Sequence, residues 1–128
     1  MTEQALEGLR VLDLGWHIAG PYCTRLLADY GAEVIKVAQP AGDPARKVGP
    51  FPNDKPDREA SGLFFYLNNN KKSIILDLKT DSGVRDLKKL VEWADILVEN
   101  FSPRVMPSLG LGYQDLKAIN PGLVMTIS

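Results

Sequence analysis

The residues best placed to do chemistry lie in one short run, Gly15-Trp16-His17-Ile18-Ala19-Gly20-Pro21. Two glycines bracket an imidazole. The proline that follows suits the first turn of a helix, where its missing N–H would have no partner. A turn of this kind between a strand and a helix can present backbone N–H groups to a phosphate. His17 adds a side chain able to donate a hydrogen bond, although a lone histidine in a turn also reads as an exposed polar residue. The spacing is neither G-x-G-x-x-G nor G-x-x-x-x-G-K-[ST], because Pro21 and Tyr22 stand where the second motif needs Lys and a hydroxyl. That argues against an ordinary dinucleotide fingerprint or P-loop. Cys23, the single cysteine, sits near a helix start, where thiolates are favoured. Its alternative reading is a small buried apolar side chain.

The flanking elements follow from apolar runs and their stops. Leu9 to Leu14 reads as a first strand and Tyr22 to Tyr30 as a helix, with Gly31 as its C′ residue. Glu33 to Val37 reads as a second strand, which completes a βαβ unit with a right-handed crossover. Residues 38–61 crowd seven prolines and glycines among charges, and an aperiodic stretch of this length is either a solvated excursion or a loop closing over a ligand. Ser61 to Asn69 predicts a short helix, Asn68 to Lys72 a polar turn and Ser73 to Leu78 a third strand. Thr80 or Asp81 can cap a helix running to about Ala94, with Val84, Leu87, Leu90 and Val91 at helical spacing. Asp95 to Glu99 is a fourth strand, Arg104 to Leu109 and Tyr113 to Ile119 are short helices, and Leu123 to Ile127 is a fifth strand. The fold class expected is α/β: a Rossmann-like, mostly parallel, doubly wound sheet with flanking helices. The chain stops at Ser128, at or just past an apolar strand. A finished domain usually closes with a helix or polar tail, so this end reads as cut.

Composition narrows the function classes. At 128 residues the chain suits one domain. A net charge of −1 from 15 basic and 16 acidic residues gives no reason to expect nucleic acid or an anionic membrane as partner. No apolar run approaches the roughly 20 residues a membrane span requires, and the N-terminus has no signal-peptide pattern. One cysteine excludes an intrachain disulfide framework and fits a reducing cytoplasm. No metal-ligand cluster is expected.

Several segments taken together resemble the class III CoA-transferases, the family that includes formyl-CoA transferase and carnitine CoA-transferase. The matching pieces include Leu6 to Leu14, Ala19-Gly20-Pro21-Tyr22, Leu26 to Val37, Gly42-Asp43, Leu67 to Ser73 and Leu76-Asp77-Leu78-Lys79. Val98-Glu99-Asn100-Phe101, Leu109 to Tyr113 and Ile119-Asn120-Pro121 continue the match. Each is short, but they run in the family's order over nearly the whole chain. The resemblance implies a Rossmann-like half completed by a C-terminal part, two ring-shaped subunits interlocked as a homodimer, and acyl-CoA and a carboxylic acid as partners. It implies no permanently bound cofactor. Residues 1–128 would then be the N-terminal, CoA-binding part of a longer chain.

The catalytic residue of this family is an aspartate that takes CoA from the donor as an enzyme-bound thioester. None of the aspartates here matches it, so the resemblance places it beyond Ser128 and assigns no catalytic residue within the chain. The CoA contacts it implies fall on His17, Ile18 and Ala19 after the first strand and on Gln39 after the second. Leu76 and Lys79 follow around the third, and Asn100 and Phe101 after the fourth. These residue types suit CoA: Lys79 can neutralise a phosphate, Phe101 offers an apolar surface, and Asn100 both donates and accepts. Lys79 also reads as a solvated residue before a helix cap, and Phe101 as a core side chain. Ile18 and Ala38 depart from the Gln and Glu that many members carry, and Pro107-Ser108 from a basic residue. Arg46, Arg104 or the Lys71-Lys72 pair could supply that charge, although paired lysines in a turn are usually just solvated. The α-methylacyl-CoA racemase branch and an inactive CoA-binding fragment stand as alternatives.

Overall fold

A computed structural model describes residues 4–55, 61–68 and 70–127. The expectations touching Pro56, Asp57, Arg58, Asn69 and Ser128 lie outside the described residues. Five strands, β1 (Arg10–Asp13), β2 (Glu33–Ala38), β3 (Lys72–Ile75), β4 (Ile96–Glu99) and β5 (Val124–Ile127), form one sheet in the order β3-β2-β1-β4-β5. Every pairing is parallel. The helices are α1 (Ala19–Asp29), α2 (Gly62–Leu67), α3 (Asp81–Trp93), α4 (Val105–Ser108) and α5 (Tyr113–Ile119). The α/β class and the doubly wound arrangement follow from this order, since parallel neighbours require a crossover between them.

The central strands are apolar runs because both their faces are covered. Val11, Val34 and Val98 pack against Ala28 and Ala32 on the α1 side. Leu12, Leu14 and Leu97 pack with Leu87, Val91 and Leu116 on the side of α3 and α5. Small residues on α1 let it approach closely, and Gly15 and Gly20 carry this furthest. A Cβ on either would lie 2.9 Å from the other's Cα.

Helix ends obey local chemistry. Gly31, at φ 109°, closes α1, with Ala32 N–H donating to Leu27 O and Gly31 N–H to Ala28 O, both at 3.0 Å. Thr80 Oγ1 accepts from Gly83 N–H at the start of α3. The Asn120 amide donates to Val91 O and Ala94 O, adding partners to carbonyls at the end of α3.

Two boundaries differ by three residues from the sequence-based expectation, the others by at most two. Helix α1 begins at Ala19, three residues early, which puts Pro21 at the third helical position. The first four helical N–H groups all lack partners, so proline is as acceptable there as at the first. Strand β3 ends at Ile75 instead of Leu78, because β2, the strand it pairs with among the described residues, runs out at Ala38.

Candidate functional site

Because the strands are parallel, the segments following β1, β2, β3 and β4 leave the sheet at one end. They enclose a cavity of about 730 Å³, within the range of small-molecule sites. Leu14, Val37, Leu76, Phe101 and Leu109 give it an apolar floor and wall, and Gln39, Lys79 and Ser102 bring polar groups to it. Of the eight residues singled out from the sequence, His17, Gln39, Leu76, Lys79, Asn100 and Phe101 line this one cavity. Ile18 and Ala19 are not in its lining; they stand exposed where α1 opens.

The turn after β1 is held by side chains drawn from four segments. Gly15 N–H donates to Asp13 Oδ1 at 2.8 Å, and its carbonyl accepts from Lys36 Nζ at 3.0 Å. The Asn100 amide accepts from Trp16 N–H and donates to Trp16 O, each at 2.8 Å. His17 N–H donates to Asp43 Oδ1 at 3.0 Å. His17 itself has φ 60°, a left-handed conformation uncommon outside glycine.

The turn's own amides at residues 15–17 are therefore committed internally, which corrects the expectation that this turn presents them to a phosphate. The groups a helix leaves open here belong to the first residues of α1. Asn100 likewise acts first as a clamp on Trp16, and the Trp16 and Phe101 rings meet edge to face with centroids 5.0 Å apart.

Behind the turn lies a buried cluster of charges. Lys71 Nζ is 2.8 Å from Asp13 Oδ2, and Lys36 Nζ is 3.0 Å from Asp43 Oδ2. All four side chains are at most 2% exposed. Asp13 Oδ2 also accepts from the Thr24 hydroxyl at 2.7 Å, while Lys71 donates to Pro21 O and Asn68 Oδ1. Burial pushes the Lys71 ammonium below the ordinary lysine value of 10.5, against the opposing pull of Asp13.

Lys71 is thus no solvated turn lysine. Lys72, the first residue of β3, is solvated instead, paired with Glu33 of β2 while both remain exposed. The cluster eluded the sequence reading because its partners are up to 58 residues apart. One signal was present: Lys36 interrupts the apolar run Val34-Ile35-Lys36-Val37, and a lysine in a strand covered on both faces must be paired.

The loop after β2 folds back onto the protein in its described part. Asp43 is buried and caps a short 3₁₀ turn by accepting from Ala45 N–H. The Ser61 hydroxyl donates to Ala45 O at 2.8 Å and also contacts Val48 O. The Arg46 guanidinium lies 3.7 Å from the centre of the Phe64 ring. Residues 42–45 are therefore no solvated excursion, and Gln39 to Ala41 form a wall of the cavity. Cys23 is only partly buried. Among the described residues no group of three or more His, Cys, Asp or Glu is placed to hold a metal ion, and no helix is long and apolar enough to cross a membrane.

Parallel strands in this order define a doubly wound α/β protein, and its cavity lies at the carboxyl ends of the strands, where such sheets take their ligands. Residues 6–127 match CoA-transferase family III, and the chain belongs to that family. It is 47% identical over 120 residues to a succinyl-CoA:mesaconate CoA-transferase of Haloarcula hispanica, covering 94% of this chain and 30% of that protein. It is 46% identical over 121 residues to a succinyl-CoA:glutarate CoA-transferase of Mus musculus, covering 93% and 27%. The crystal structure of a CaiB/BaiF family protein from Brucella suis superposes with a TM-score of 0.88 at 36% identity, over 98% of this chain and 33% of that one. The chain thus spans about 30% of the length of the first of these relatives.

Proposed function

We propose that residues 1–128 are the CoA-binding, N-terminal part of an enzyme that moves CoA between an acyl-CoA thioester and a free carboxylic acid. The observation that carries this reading is the convergence of His17, Gln39, Leu76, Lys79, Asn100 and Phe101, from four separate strand exits, on one cavity. An apolar cavity with few polar groups suits the pantetheine arm, and the exposed Lys79 ammonium suits a phosphate. Among the described residues Lys79 has no ion-pair partner competing for it. The phosphates would meet side chains and the opening of α1, where Ile18 and Ala19 stand, in preference to the clamped turn. Succinyl-CoA is the donor class favoured by the names of both relatives described above.

The chemistry belongs to an aspartate of the parent protein outside these residues. Its carboxylate attacks the acyl-CoA carbonyl and releases the CoA thiolate; the thiolate then attacks the resulting anhydride at the aspartyl carbon, freeing the donor acid and leaving an aspartyl-CoA thioester. The acceptor carboxylate reverses these two steps, so that one difficult exchange becomes easier covalent ones. An interlocked homodimer and a cytoplasmic setting complete the proposal.

Calorimetric titration of the 128-residue chain with CoA tests the binding part, and Lys79→Ala should weaken it. No heat at millimolar CoA would count against it. Mass spectrometry of the parent enzyme after incubation with succinyl-CoA tests the chemistry through a hydroxylamine-sensitive CoA adduct.

A further inference from the structure

Two walls of the cavity come from segments that are distant in sequence, His17 after β1 and Gln39 to Ala41 after β2. Both are tied to one buried carboxylate. Asp43 Oδ1 accepts from His17 N–H at 3.0 Å and from Ala45 N–H at 2.8 Å. Asp43 Oδ2 faces Lys36 Nζ at 3.0 Å, and that ammonium reaches on to Gly15 O at 3.0 Å. The Gln39 amide donates to Gly42 O at 2.8 Å, which fixes the second wall to the residue preceding Asp43.

We propose that Asp43 is a positioning residue for ligand binding, holding the His17 wall and the Gln39 wall of the cavity in one register through its pair with Lys36. Three observations favour this over a purely stabilising role. A buried ion pair adds little stability beyond what apolar side chains of the same volume would supply. The pair's remaining hydrogen bonds go to the cavity-lining turn and its neighbours, Gly15 O, His17 N–H and Ala45 N–H. And His17, at φ 60°, holds a backbone conformation that persists only where its surroundings over-determine it. Asp43 supplies that constraint at His17 N–H. Asp43 touches no cavity surface itself, so it acts through the two walls.

The proposal rests on the CoA reading only for its ligand. The test is amide hydrogen exchange on the ¹⁵N-labelled 128-residue chain, read as the rate at His17 relative to that at Leu12 in the core of β1, together with CoA titration. Asp43→Asn keeps the shape and removes the charge that faces Lys36. It should raise the His17-to-Leu12 ratio roughly tenfold, because a neutral amide oxygen no longer anchored by Lys36 holds His17 N–H less firmly while the global fold persists. It should also weaken CoA binding roughly tenfold, since preorganisation is lost. Val91→Ala, in the core on the opposite sheet face, should speed exchange at both amides alike and leave the ratio and CoA affinity unchanged. Where Asp43→Asn does not fold, the double variant Lys36→Met with Asp43→Asn removes both charges at nearly constant volume and is expected to give the same two changes. An unchanged ratio in both variants overturns the proposal, and so does a raised ratio with undiminished CoA affinity. A raised ratio in a chain whose unmodified form binds no CoA supports the coupling of the two walls and counts against the CoA reading alone.

Discussion

Asp13 ties the turn after β1, helix α1 and the segment before β3 together. One oxygen holds Gly15 N–H, and the other takes Thr24 and Lys71. Asp13→Ala strands a buried ammonium and should destabilise the chain by about 3–5 kcal/mol in urea titration, the loss typical of a broken buried pair. Asn100→Ala opens the clamp on Trp16 and should lose about 1–3 kcal/mol, because two backbone groups are left without partners. Lys71 has a pH signature of its own. Its folded value is lowered by burial, so between that value and 10.5 the unfolded chain binds more protons than the native one. The contribution of this group to stability therefore rises with pH through that window, and its charge burden is fully present below it. A ¹³Cε titration should show a lysine resonance, missing in Lys71→Met, that inflects below 10.5. An inflection at or above 10.5 would contradict burial as the dominant cause.

Gly83 sets how closely α3 can start behind the strand it follows. A Cβ there would lie 1.9 Å from Asp77 O. Gly83→Ala should therefore destabilise by about 3 kcal/mol or more, although alanine is the better helix former by only about 1 kcal/mol. A thermal melt higher than that of the unmodified chain would contradict the reported approach. Most elements were legible in the sequence because parallel strands covered on both faces are largely apolar, and because Thr80 and Gly31 mark helix ends by chemistry local to each. What escaped was non-local. The early start of α1 depends on Pro21 being acceptable at any of several N-terminal positions, and the short β3 depends on where β2 ends. The family resemblance placed eight candidate residues at strand exits, and six of them line one cavity. The roles of Asn100 and Lys71 were not legible, since Trp16 and Asp13, which they bind, lie 84 and 58 residues away in sequence.

At the scale of the whole molecule, the parallel sheet turns four chain segments into neighbours at one end, and the proposed ligand is an anion with several phosphates. Binding of CoA should weaken steadily as salt is raised from 50 to 500 mM, because the screening length around exposed cations such as Lys79 shrinks from about 14 Å to about 4 Å over that range. Isothermal titration across that range checks it, and a flat response would exclude charge as a source of affinity. The buried quartet behind the turn contains two carboxylates and two ammonium groups, so it sums to zero and lies beyond the reach of mobile ions. Sodium chloride should consequently act on the guest's phosphates while sparing the internal lattice that shapes its berth, which makes ionic strength a dial for one without the other.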